Sequence, residues 1–134
     1  MKKVILVCSL LLLMGCAEKD EYQNEILEQM KTEKDIKDYK IAPEEMTKCV
    51  VDTSSSNMPG LFLIDPQRRQ AYKNYTKMLK LNKSGDPKKT LEELRQDFGD
   101  AKTLADAHSN YVESVVDCMS NLVSSTEEAQ NKQK

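Results

Sequence analysis

The feature that most constrains this chain is a helical stripe toward its C-terminal end. Between residues 100 and about 124, Ala101, Leu104, Ala105, His108, Tyr111, Val112, Val115, Cys118, Met119 and Leu122 recur at helical spacing for about six turns. A stripe of that kind is one face of an amphipathic helix, and other elements must cover it. The rest of the chain offers helices to do so. Charge is dense, Pro and Gly are few, and large aromatic side chains are scarce, with no Trp and two Phe. That balance favours helices over a β-sandwich.

Helix starts are written clearly upstream of the stripe. Ala42-Pro43 opens a helix expected over about 43–54, with Glu44 and Glu45 in its first turn. Met46, Cys49, Val50 and Thr53 share one face of it. Asp65-Pro66 combines a capping carboxylate with a proline at the first helical position. Ala71, Tyr72, Tyr75, Met78 and Leu79 follow at helical spacing down to about residue 82. The turn Ser84-Gly85-Asp86-Pro87 repeats the same device, and Leu91, Leu94 and Phe98 supply the apolar face behind it. Gly99 stands where that helix ends or is merely weakened. Short connections favour antiparallel neighbours. The expected fold is all-α: a small antiparallel bundle of about four helices over residues 41–125, with 126–134 a disordered tail.

The N-terminus reads differently. Lys2 and Lys3 precede an apolar run over residues 4–14, which stops at Gly15-Cys16. A basic start, a short apolar segment and a small residue at its end describe a secretory signal. The run is about half of the roughly 20 apolar residues a membrane span needs. Leu13-Met14-Gly15-Cys16 resembles the lipobox of bacterial lipoproteins. Leu13, Gly15 and Cys16 match its pattern, while Met14 stands where a small or β-branched residue is commoner. The resemblance implies cleavage of residues 1–15 and a covalent lipid on Cys16, with no other cofactor. Acyl chains each contribute about 0.8 kcal/mol per buried methylene, and two or more hold stably. Ala17 is not the aspartate that resembles an inner-membrane retention signal, so the expected location is the outer membrane, facing the periplasm.

The resemblance also settles the cysteine arithmetic. Cys8 leaves with the signal and Cys16 carries lipid, which leaves Cys49 and Cys118. In an oxidising compartment two leftover thiols are expected to pair. Both fall on apolar helical faces, which agrees with a bridge between them. Cleavage leaves 119 residues with a formal charge of −4, enough for one small domain. Residues 16–40 are very polar. They read as a tether or a frayed helix, with a thin stripe at Tyr22, Ile26 and Met30.

Catalytic chemistry finds little support. His108 is the only histidine, and Asp106 two residues away cannot share its helical face. His108 is expected at the edge of the core. Zinc wants clustered Cys and His, which are lacking, and there is no phosphate-binding glycine loop. No metal ligand and no catalytic residue is assigned, and a chain that is acidic overall is not expected to bind nucleic acid.

Charge is segregated instead. Between Arg68 and Lys89 eight basic residues face Asp86 alone, whereas the segments on either side are strongly acidic. Either the basic helix over 66–83 lies between acidic neighbours, or it offers Arg69, Lys73, Lys77 and Lys80 to an anionic partner. Leu61-Phe62-Leu63-Ile64 is the most apolar run after the signal. It is expected to plug the end of the bundle; the alternative is an exposed lip at which Leu61 and Phe62 receive a partner.

These features point to an envelope protein that acts by protein–protein interaction, held to the membrane by its lipid. In size, anchor and helical content the chain is similar to the pilotin lipoproteins, which escort secretin subunits and take an amphipathic peptide between helices. An exclusion-type or inhibitor-type defensive lipoprotein is the alternative. A small-ligand carrier or an enzyme is disfavoured.

Overall fold

The computed structural model describes residues 17–131, with side chains described through residue 126. The signal segment, Cys16 and residues 132–134 lie outside that range. Among the described residues there are six α-helices: α1 (Ala17–Thr32), α2 (Lys34–Asp38), α3 (Pro43–Ser56), α4 (Pro66–Leu79), α5 (Pro87–Asp97) and α6 (Ala101–Asn131). A single 3₁₀ turn, Leu81–Lys83, follows α4, and no strand occurs among the described residues.

Both Asp-Pro starts cap as their chemistry requires. The Asp65 carboxylate accepts the Gln67 N–H at 2.9 Å, and Asp86 accepts the Lys89 N–H at 3.1 Å. Asp100 does the same for α6 through the Thr103 N–H at 2.7 Å, and this bond holds its carboxyl below the usual range. Gly99, at φ +98°, ends α5 in the left-handed region that favours glycine. α2 ends in the same way without one. Lys40 sits at φ +56°, its N–H donates to the Lys37 carbonyl, and the Ile41 N–H donates to that of Ile36 at 3.0 Å. This is a Schellman closure, completed by the buried pair Ile36 and Ile41.

Successive core helices alternate in direction. Along α3, positions 49, 54 and 57 meet positions that fall from 118 to 110 on α6, so these two are antiparallel. α4 and α5 are antiparallel as well, since Asn74 and Lys77 reach Asp97 while Lys77 also reaches Glu93. α1 and α4 run side by side in the same direction, with Glu18, Glu21 and Glu25 paired in order to Arg69, Lys80 and Lys83. The predicted bridge is formed: Cys49 on α3 is bonded to Cys118 on α6, with Cα atoms 5.8 Å apart.

The principal departure from the sequence reading is α1. Residues 17–32 form neither a tether nor a frayed end but a central helix, with Tyr22, Ile26 and Met30 in the core. Three apolar positions four apart suffice because the Tyr22 ring is enclosed by its own kind. Its centroid lies 5.7 Å from that of Tyr72 and 5.9 Å from that of Tyr75, and Tyr75 in turn lies 5.8 Å from Phe98. The Tyr22 hydroxyl is satisfied by Ser54 Oγ at 2.9 Å. At the other terminus α6 continues to Asn131, beyond the boundary expected for the tail.

The buried face of α6 is turned from the one expected. Leu104, Ala107, Tyr111, Ser114 and Cys118 point inward. Ala101, Ala105, His108 and Val112 are exposed, so His108 is a surface residue and not a core-edge one. The small residues Ala107 and Ser114 lie on the buried face, while Val112 and Val116 are exposed.

Candidate partner surfaces

Two surfaces stand out. The first is an open cleft of about 760 Å³ between α4 and α6. Its apolar lining includes Ala71 and Tyr75 from α4, Phe98 from the α5–α6 corner and Ala107 from α6. Around these stand five carboxamides, Asn57, Gln67, Gln70, Asn74 and Asn110, and three carboxylates, Asp97, Asp106 and Glu113. Among the described residues no lysine or arginine lines it.

Much of this polar lining is fixed by bonds across elements. The Asn110 side-chain amide donates to the Ser54 carbonyl and to the Tyr75 hydroxyl, each at 3.0 Å, while its oxygen accepts from Asn57 at 2.9 Å. Asn74 donates to the Asp97 carbonyl at 2.9 Å and accepts from Gln70 at 2.8 Å. Burial raises the pKa of Tyr75, and the Asn110 bond opposes that rise. A carboxamide both donates and accepts, so such a rim suits peptide groups. Two of the three carboxylates are engaged within the chain, Asp97 with Lys77 at 2.7 Å and Asp106 with Lys102 at 2.6 Å.

The second surface is the 61–64 run, and the expectation that it plugs the bundle is wrong. Leu61 is 84%, Phe62 70% and Ile64 77% exposed, with Leu63 also open. Tyr22, Met58 and Tyr72 are buried in the core without help from this run.

The basic residues of α4 are paired across helices, and Lys73, Lys77, Lys80 and Lys83 also line an open pocket beside Glu21. Arg69 donates to Glu18 Oε1 at 2.7 and 3.2 Å, and Lys73 lies 3.7 Å from the same oxygen. Lys77 pairs with Asp97 at 2.7 Å and Glu93 at 3.0 Å, and Lys80 with Glu21 at 2.7 Å. The Arg69 guanidinium holds the Glu18 carboxyl below its ordinary range, and Asp97 holds the Lys77 ammonium above its own. These cross-helix pairs are what the internal role of the segregated charge requires. Leu61 and Phe62 are exposed and make no such pairs.

The cleft escaped the sequence reading because its lining comes from four separate segments. One signal was legible in principle: Gln67, Gln70 and Asn74 recur at i, i+3 and i+7 beside the apolar stripe of α4. Among the described residues no group of three or more His, Cys, Asp or Glu is placed to hold a metal ion. No helix among them is long and apolar enough to cross a membrane. No family model, curated protein or solved structure matches this chain.

Proposed function

We propose that this chain is a lipid-anchored protein of the bacterial envelope whose helical domain holds a segment of another protein in the α4–α6 cleft. The cleft carries the reading: a 760 Å³ space with an apolar floor and a rim of carboxamides fixed in position. Side chains held by their own hydrogen bonds bind without a large ordering cost. The fitting ligand is a peptide segment with an apolar face, and a basic residue on it would meet Glu113. The lipobox pattern and the disulfide support an exported, anchored molecule on the periplasmic side of the outer membrane. An accessory that escorts or positions an envelope component, as the pilotins do, is the role that joins anchor and cleft.

Site-specific photocrosslinking in cells tests this. A photoreactive residue at Gln70 or Ser109, both lining the cleft, is expected to give one discrete protein adduct. The same group at Lys48, on the exposed side of α3, is expected to give none. Cys16→Ala is expected to abolish incorporation of labelled palmitate and release the protein from the membrane fraction. Equal adducts from all three positions, or none from the cleft, would refute peptide capture. Palmitate incorporation that survives Cys16→Ala would refute the anchor.

A further inference from the structure

The exposed 61–64 run lies at the end of the bundle where α1 begins. The Arg68 guanidinium donates to the carbonyls of Ser55 and Gly60 and closes the start of the loop onto α4. Gly60, at φ +86°, lies so close to α4 that an added Cβ would sit 2.5 Å from the Arg68 nitrogen. Asp65 closes the other side. Its carboxylate accepts the Leu61 N–H at 3.1 Å, and its own N–H donates to the Phe62 carbonyl at 2.9 Å. The loop is therefore a fixed turn that holds its apolar side chains outward. The next residue along α4, Arg69, is bonded to Glu18, the second residue of α1.

Cys16 directly precedes α1. Two residues of chain reach at most about 7 Å, so a lipid on Cys16 enters the bilayer close to Glu18, Arg69 and the loop. A leash would have separated anchor from domain, but α1 leaves no room for one.

We infer that Leu61, Phe62 and Ile64 insert into the bilayer beside the acyl chains of Cys16 and fix the orientation of the domain on the membrane. This rests on the lipoprotein reading above and names the membrane itself as the ligand of the second surface. Aliphatic and aromatic side chains on a held backbone suit the boundary between headgroups and acyl chains, and the internal bonds of Leu61 and Asp65 remove backbone donors that lipid would leave unpaired. With residues 1–15 cleaved, the chain retains no other apolar segment of that length to cover the run.

The chain has no Trp, so single substitutions give clean reporters. Phe62→Trp is compared with Tyr39→Trp, whose site is exposed at the end of α2, beyond the far end of α1. Each full-length protein is matured in bacteria, checked for acylation by mass spectrometry and for folding by circular dichroism, and reconstituted into phosphatidylethanolamine–phosphatidylglycerol vesicles. The expected result is a blue-shifted emission from the Phe62→Trp protein, strongly quenched by lipids brominated in the acyl chain, with the Tyr39→Trp emission unaffected. An acylated protein whose Phe62→Trp emission stays unquenched overturns the insertion and leaves the anchor standing, as does quenching equal at both positions. A protein without acyl chains on Cys16, or one that retains residues 1–15, overturns the anchor and the insertion together.

Discussion

Opening the Cys49–Cys118 bridge is the most informative perturbation of this fold. The bridge joins α3 to α6 across a separation of 69 residues, so α4, α5 and half of α6 lie within the loop it closes. A loop of that length restrains the unfolded chain by about 4 kcal/mol at 25 °C in the chain-entropy account. Little native packing opposes the change. Cys118 is buried at 1% exposure, with Thr53 Oγ1 3.6 Å from its sulfur, and Cys49 is half-buried. Cys49→Ser with Cys118→Ala therefore removes the covalent link and leaves only a small void. A domain of about 115 residues gains roughly 0.24 kcal/mol/K of entropy on unfolding, so 4 kcal/mol corresponds to a Tm lower by about 17 °C. Thermal melts followed by far-ultraviolet circular dichroism, on the oxidised protein, the reduced protein and the double variant, provide the test. The reduced protein and the variant should melt together, well below the oxidised form. Three coincident midpoints would refute both the bridge and its assigned share of the stability.

Three other outcomes are expected. Lys40→Gly relieves the left-handed residue at φ +56° and should raise stability by about 1 kcal/mol in denaturant titrations; a lower midpoint would refute the Schellman closure. Asn110→Ala removes the amide that joins Ser54, Tyr75 and Asn57 and should cost about 2 kcal/mol, while cleft crosslinks fall with it. Burial raises the phenols of Tyr22 and Tyr111, the latter to about 12. A raised folded value means that their contribution is intact below the unfolded value near 10 and is lost as the pH rises toward 12. Melting points should hold steady up to about pH 10 and then fall, and a midpoint unchanged above that pH would refute it.

The parts of the fold that local chemistry dictates were legible. Asp65-Pro66 and Asp86-Pro87 each carry a cap and a preset φ, and each starts a helix at that residue. The disulfide followed from counting thiols and from two independent periodicities. What failed depended on distant partners. Tyr22, Ile26 and Met30 look too thin a stripe until Tyr72 and Tyr75 enclose them, and those rings lie some 50 residues away. The 61–64 run looked like core because hydrophobicity alone does not say whether a void exists to receive it. On α6 the buried face includes the small residues Ala107 and Ser114, which carry little apolar signal of their own. The cleft was the least legible, since a space between helices has no sequence of its own.

α1 has one further property. Together with the short α2 it lies wholly outside the disulfide loop, so its side chains hold it to α3 and α4. In a molecule fastened at Cys16, any pull on the domain arrives first at Ala17 and passes into the helix that carries Tyr22. Tension would then peel α1 from the crosslinked α3–α6 pair before it stretched any slack chain. The molecule would behave as a rigid bracket with a defined breaking point, and the unpeeled remainder, still cross-linked, would present Tyr72 and Tyr75 as an open apolar groove.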